Sequence, residues 1–76
     1  MTLKDLFNTL YGTTEVSITA LAYFKDTKKY YSFRTVTYNE TVSNCMAKLS
    51  EDELNSKISH ISVVENVLRI DIIEFI

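Results

Sequence analysis

The first ten residues carry the apolar spacing of a short amphipathic helix. Leucine or phenylalanine recurs with the period of a helix that buries one stripe, at Leu3, Leu6, Phe7 and Leu10. Thr2 is a good N-cap, and Asp5 stands where the acid of a capping box belongs. We expect Gly12 to end this helix in the left-handed conformation, which glycine adopts at little cost.

Residues 16–24 alternate between two faces, which predicts a strand, and residues 25–28 form a turn to a second strand over residues 30–38. A four-residue loop pairs Ala22 with Tyr31 and Ala20 with Phe33, so that small residues face large ones. The inner face then holds Val16, Ile18, Ala20, Ala22, Tyr31 and Phe33, and the outer face holds Leu21, Tyr23, Tyr30, Arg34, Val36 and Tyr38. A slip of one residue would exchange the faces of the second strand.

A second helical stripe follows, at Val42, Cys45, Met46 and Leu49. Asn39 or Thr41 can cap its start. Residues 50–53, Ser-Glu-Asp-Glu, form a capping box with acids in the first turn, where the helix dipole favours them. The chain is therefore expected to bend at Ser50 and to begin a short third helix over roughly residues 51–57.

Two further strands, over residues 58–64 and 67–75, form a closing hairpin around a turn at Glu65-Asn66. A two-residue turn fixes the register of this hairpin. The expected pairs are Val63 with Leu68 and Ile61 with Ile70 on one face, and His60 with Asp71 and Ser62 with Arg69 on the other.

The last strand is apolar on both faces towards its end. Leu68, Ile70 and Ile72 point one way, whereas Ile73 and Phe75 share the face of the polar residues before them. A sheet with one face in water would not place Ile73 and Phe75 there. Either another segment covers this face or another chain docks on it, and Ile73 and Phe75 are candidate oligomer contacts.

The order of elements is α-β-β-α-α-β-β, and no linker or repeat divides the chain. Paired strands with helices set between them predict a single compact α+β domain over residues 1–76. The expected architecture is one antiparallel four-stranded sheet, made of two hairpins, with the helices packed on one face.

The residue composition argues against several kinds of functional site. A single cysteine forms no internal disulfide, and one Cys with one His cannot supply the four ligands of a structural zinc site, so no cofactor or metal is expected. No run of 18 apolar residues exists and the first residues resemble no signal peptide, so a cytoplasmic protein without membrane partners is the simplest expectation. Catalysis is not expected either, because His60 has no companion nucleophile and Cys45 lies on a buried stripe.

Two macromolecular partners are compatible with the first hairpin. Lys25, Lys28, Lys29 and Arg34 lie among aromatic residues over positions 23–34, as in proteins that stack single-stranded nucleic acid on rings. Against a nucleic-acid partner, the net charge is −2, and lysines also keep hairpin tips soluble. The preferred interpretation is a protein-binding patch, because Tyr and Arg commonly anchor protein interfaces. Its expected members are Leu21, Tyr23, Tyr30, Arg34, Val36 and Tyr38.

The layout resembles small proteins encoded by phages and mobile elements of low-GC Gram-positive bacteria. Many of them open with a short Leu-rich helix, here residues 3–7, continue with a Gly and a Val-x-Ile strand, here residues 16–18, and close with a hairpin like residues 61–70. Some proteins of this kind are anti-CRISPR inhibitors or other blockers of host defence. The resemblance implies a non-catalytic inhibitor that covers a surface of a host nuclease or its guide complex. The apolar end of the last strand leaves a further alternative, a homodimer or a self-assembling structural accessory protein that associates through Ile73 and Phe75.

Overall fold

The computed structural model describes residues 1–75, except for the side chains of residues 30–33. Within these residues the elements follow the predicted order. They are α1 (Leu3–Phe7), β1 (Glu15–Phe24), β2 (Lys29–Thr41), α2 (Val42–Lys48), α3 (Glu51–Leu54), β3 (Lys57–Val64) and β4 (Val67–Phe75). The predicted α+β class and the two hairpins are confirmed.

The expectation of a purely antiparallel sheet is wrong, because the four strands form a mixed sheet in the order β2-β1-β4-β3. The two hairpins meet through β1 and β4, which run parallel, with Ile18 beside Ile70. Hairpin patterns specify only the strands within each hairpin. How the two hairpins join depends on α2 and α3, which carry the chain from the end of β2 to the start of β3 at the opposite end of the sheet.

One face of the sheet, here called the helix face, carries the core. The buried strand residues on it are Val16, Ile18, Ala20, Ile70 and Ile72, and the helices contribute Leu3, Phe7, Val42, Cys45 and Leu54. Leu6, Leu10 and Leu49 pack around this cluster. The opposite face, here called the open face, has no covering helix among the described residues. The described helices therefore cover only one face of the sheet.

The predicted caps are confirmed. Thr2 and Asp5 form a complete capping box at α1, and Ser50 and Glu53 form another at α3. Thr41 is the cap of α2, and its hydroxyl accepts a hydrogen bond from the Asn44 N–H. These bonds satisfy N–H groups that have no partner inside their own helix. The third helix is shorter than predicted, since it ends at Leu54.

The predicted role of Gly12 is wrong. The helix ends earlier, at the cap residue Asn8, and Gly12 does not adopt a positive φ. Its value is spatial: the Ser43 N–H donates to the Gly12 carbonyl at 3.0 Å, and a Cβ at position 12 would overlap the Ser43 hydroxyl. Gly12 therefore lets α2 approach the loop that leads into β1.

The closing hairpin has the predicted turn and register. Glu65 and Asn66 have φ values of 51° and 66°, as a two-residue hairpin turn that follows the sheet twist requires. Ile61 lies opposite Ile70, and His60 lies opposite Asp71. A bulge at Ser59 then shifts the register before Ile58, which packs against the core.

The register predicted for the first hairpin is right only near its turn. Phe24 lies opposite Lys29 as expected, but a register shift between Ala22 and Tyr23 displaces β2 by one residue as far as Thr35, and two further shifts follow beyond it. Arg34, not Phe33, therefore lies opposite Ala20 on the helix face. The predicted inward positions of Tyr31 and Phe33, and the outward position of Tyr30, lie outside the described side chains.

Candidate protein-interaction surface

The open face has two parts, one polar and one apolar, because β1 and β4 change composition together along their length. Ser17 and Thr19 lie beside Arg69 and Asp71 in the parallel pair, and this set is called the polar half. Further along, Leu21 lies beside Ile73 and Tyr23 lies beside Phe75, and this set of four is called the apolar corner. Both parts belong to the two central strands, so their backbone positions are fixed by hydrogen bonds on both sides.

The apolar corner is partly open to solvent. Phe75 is 53% exposed, and Leu21, Tyr23 and Ile73 are half-buried. The rings of Tyr23 and Phe75 meet edge to face, with centroids 5.6 Å apart and an interplanar angle of 82°. This geometry suits the ring quadrupoles and holds the two side chains in one arrangement. The corner is therefore a pre-ordered apolar surface.

Lys25 borders the apolar corner. The Lys25 Nζ lies 5.8 Å from the centroid of the Phe75 ring, which is within the range of a cation–π contact. Lys25, Lys28 and Lys29 are all exposed at the tip of the first hairpin. Lys29 lies opposite Phe24, which is on the helix face, and Asp26 is exposed at the same tip, so the positive charge beside the corner is that of Lys25.

The polar half forms the floor of a shallow concavity of about 440 Å³. Its lining residues include Thr19, Leu21, Tyr38, Arg69 and Asp71, so it reaches into the apolar corner through Leu21. Tyr38 is 73% exposed and stands at the border of this concavity. The concavity offers both hydrogen-bond donors and hydrogen-bond acceptors, including the guanidinium of Arg69 and the carboxylate of Asp71.

A reciprocal pair of hydrogen bonds holds the strand that carries Tyr38. The buried Ser17 hydroxyl accepts from the Asn39 N–H at 3.0 Å and donates to the Asn39 Oδ1 at 3.1 Å. Asn39 has a φ of 47°, a conformation that asparagine tolerates better than most residues. This irregularity in β2 thus fixes the backbone next to Tyr38 against the central strand.

Arg34 does not belong to this surface, so its predicted place among the partner contacts on the outer face is wrong. Its guanidinium pairs with Glu74 of β4 and lies 3.7 Å from a Glu53 carboxylate oxygen of α3. The small residues Ala20 and Ala22 of β1 lie between β2 and β4, so the long side chains can meet across them. Hydrogen bonding from the Ser50 N–H, aided by the Ser50 hydroxyl and the Arg34 charge, lowers the pKa of Glu53.

The structure brings together some predicted residues and separates others. Leu21 and Tyr23, which were predicted as partner contacts, lie beside Ile73 and Phe75, which were predicted as oligomer contacts. The two predicted sets therefore form one surface. Tyr38 lies at its border. Val36 is a wrong assignment, because the register shift beside it turns it towards the core. Tyr30 belongs to the side chains outside the description.

The polar half was missed by sequence reasoning. Thr19 and Asp71 are 52 positions apart and become neighbours only through the parallel pairing of β1 with β4. Lys25 was considered only as a contact for nucleic acid, although it lies over Phe75. The signals that indicated this face were the apolar end of β4 and the outward positions of Leu21 and Tyr23 in β1.

Other reactive residues have structural surroundings. Cys45 is completely buried, and burial raises the pKa of its thiol, which disfavours the nucleophilic thiolate. His60 is exposed on β3. Among the described residues no group of three His, Cys, Asp or Glu side chains is placed to hold a metal ion, and no helix has the length and apolar character needed to cross a bilayer.

Comparison with known proteins gives no relative. No protein-family model, curated protein or solved structure matches the chain.

Proposed function

We propose that this chain is a non-catalytic protein-interaction module that binds another protein through the apolar corner and the polar half beside it. The observation that carries the proposal is the exposed Phe75 ring, ordered against Tyr23 on a sheet face that no described helix covers. Large aromatic side chains with an adjoining polar rim are the usual anchors of protein interfaces. A contiguous exposed apolar surface lowers the solubility of a small domain, and such surfaces usually mark binding sites.

The charges around the corner specify the partner surface. Lys25 places a positive charge beside the Phe75 ring, so the complementary partner presents an apolar pocket with a carboxylate on that side. The Arg69 and Asp71 side chains of the polar half add one charge of each sign to the contact. The expected complex therefore combines a buried aromatic anchor with salt-sensitive association.

The resemblance to small phage-encoded proteins supports a finer proposal. The chain would act in the cytoplasm of a bacterial host as a stoichiometric inhibitor that covers a surface of a defence nuclease or its guide complex. Mimicry of DNA is not part of this proposal, because the net charge of −2 is small. The inhibitor would act by occlusion, with the apolar corner as its anchor.

The test compares two substitutions at exposed aromatic residues. Phe75→Asp introduces a charge into the corner, whereas Tyr11→Asp does so at a tyrosine that is 85% exposed and lies outside the sheet. Proteins captured from the bacterial host by wild-type chain are quantified for both variants, and the best candidate is then purified and titrated. We expect Phe75→Asp to weaken binding by at least about tenfold, the scale of one anchor residue, and Tyr11→Asp to bind like wild type. Equal binding of the two variants would overturn the proposal.

A nucleic-acid partner is the second candidate, because a lysine beside an exposed aromatic ring also suits single-stranded nucleic acid. The basic set is smaller than predicted, since Arg34 is held by two carboxylates. Fluorescence polarisation with a labelled oligonucleotide at two salt concentrations separates the candidates. Binding that falls steeply with salt and is lost in Lys25→Ala would favour nucleic acid.

A further inference from the structure

The outer edge of β3 is unpaired over most of its length. At its start, the Ile58 N–H donates to the Met1 carbonyl at 3.2 Å, and Thr2 forms a bridge with Lys57. Beyond Ile58 no described segment pairs with this edge, which is here called the free edge and comprises residues 59–64. A free edge exposes a row of backbone donors and acceptors that can extend the sheet with another strand.

The free edge carries three exposed apolar side chains, Ile61, Val63 and Val64. Ile61 and Val63 lie on the helix face opposite Ile70 and Leu68, yet they are 39% and 68% exposed. Val64 is 45% exposed. The helix layer thus ends over β4, and the apolar surface of the sheet continues past it.

The opposite edge of the sheet is protected, which shows what is unusual about β3. The pairing of β2 with β1 has three register shifts, and β2 carries charges at Lys29, Arg34 and Glu40. Bulges and charges are the common means by which edge strands avoid pairing with other chains. From His60 to Val64 the free edge has a continuous register and only one titratable side chain, that of His60.

We infer that the free edge pairs with the free edge of a second copy of this chain, in antiparallel orientation about a two-fold axis perpendicular to the sheet. Such an axis keeps both helix layers on the same side, so residues facing each other must share a face. Centring the axis on Ser62 places Ile61 of each copy opposite Val63 of the other. Two apolar pairs then bury each other at the seam, and no like charges face each other.

The alternative centre, on Ile61, fits less well. It places Val63 opposite Ser59, which lies in the bulge of β3, and it brings Val64 of the second copy against Ile58, whose N–H is already bonded to Met1. The axis at Ser62 uses residues 60–64 of both copies and avoids the N-terminal segment. The result is an eight-stranded sheet with all helices on one side.

This dimer has a consequence that goes beyond the proposed function. The two open faces lie on the same side of the extended sheet, so the dimer presents two apolar corners to its surroundings. A partner with two binding sites would be held by both corners, which raises the effective affinity without any new contact. The dimer itself depends only on β3 and is testable whether or not the corner binds a protein.

The first test measures mass in solution. Sedimentation equilibrium over a range of protein concentrations should show the 8.8 kDa chain approaching twice its mass. Val63→Lys should sediment as a monomer with an unchanged circular dichroism spectrum, because Val63 is mostly exposed in the single chain. Tyr38→Lys, an equally exposed apolar position on the protected edge strand, should still dimerise. A monomeric wild type, or a dimer that survives Val63→Lys, would overturn the inference.

The second test fixes the register. At an axis through Ser62 the two copies of that residue face each other, with Cα atoms about 4.5–5.5 Å apart, a separation that a disulfide can bridge. Ser62→Cys should therefore form a covalent dimer on mild oxidation, whereas Thr35→Cys on β2 should not. The native Cys45 is buried and serves as an internal control in wild type. Equal cross-linking of both variants would show that the disulfides form by random collision, and it would overturn the proposed pairing of the free edges.

Discussion

The two faces of the sheet are built from the same strands but have opposite surroundings. Ile72 and Ile73 are consecutive residues of β4, yet Ile72 is fully buried on the helix face and Ile73 is half-buried on the open face. The same alternation separates Ile18 from Thr19 in β1. A domain of this size can therefore bury its core on one face of the sheet and leave the other face available for the proposed contacts.

The difference follows from the amount of chain that remains outside the sheet. A chain of 76 residues buries only about 60% of the surface that it exposes when unfolded. The three helices of the described part are short, and all of them are used on one face. Covering the open face would require a further layer, and under the proposal above the partner protein would supply it.

The largest expected effect is a difference between neighbouring isoleucines. Ile72→Ala should lower the free energy of unfolding by about 2–5 kcal/mol, because it leaves a cavity in the core. Ile73→Ala should lower it by about 1 kcal/mol or less, because its side chain already contacts solvent. Urea unfolding followed by circular dichroism measures both variants. Equal losses would mean that the open face contributes to the core, which would break the comparison.

A smaller effect concerns the helix layer. Ser50→Ala removes the hydroxyl that accepts the Glu53 N–H at 3.2 Å, and loss of an N-cap costs about 1 kcal/mol. Ser62→Ala on the open face should change the free energy of unfolding by less than about 0.5 kcal/mol. The same urea titrations check this pair. A larger loss for Ser62→Ala would assign the open face an unexpected share of the stability.

Local features of this fold could be predicted from the sequence, and non-local ones could not. The capping boxes at Thr2 and Ser50 and the turn at Glu65 depend on a few adjacent residues, so residue types specify them. The parallel pairing of β1 with β4 joins residues 52 positions apart, and no local pattern encodes it.

The errors at the candidate site come from irregularities in the pairing of β2 with β1. The register shift after Ala22 turned Arg34 away from its predicted face, and a second shift lies beside Val36, while residues of β1 and β4 stayed on theirs. The sequence pattern does not predict a bulge in a strand of Tyr, Phe, Thr and Val, because each of these residue types can lie on either face of a sheet. The apolar corner on the central strands was therefore predictable, whereas the positions of Arg34 and Val36 on β2 were not.

Acid should weaken the helix layer before it affects the open face. The Ser50 N–H lowers the pKa of Glu53 below its ordinary value of 4.5, and hydrogen bonds to Asn44 and Lys48 do the same for Glu40. As pH falls, the unfolded chain takes up these protons first, so the free energy of unfolding decreases from about pH 5 downwards. Glu53→Gln should show a smaller decrease in urea unfolding at low pH than wild type.

Glu51→Gln is the matched control for this pH dependence. Glu51 lies in the same first turn of α3 but outside the capping box. Its variant should keep the acid dependence of wild type. If Glu51→Gln and Glu53→Gln flatten the curve equally, the general charge of the turn is responsible and the capping bond is not.

The smallest expected effect tests the register that separates the two faces. Arg34 reaches Glu74 over the helix face only because the shift after Ala22 places it opposite Ala20. A double-mutant cycle with Arg34→Met and Glu74→Gln should give a coupling energy of about 0.2–1 kcal/mol that decreases with salt, since Arg34 is 54% exposed. A second double-mutant cycle, in which the partner of Arg34 is Asp71 and not Glu74, should give no coupling energy, because Asp71 lies on the open face of the same strand. Coupling to Asp71 in place of Glu74 would return Arg34 to the open face and restore it to the binding surface.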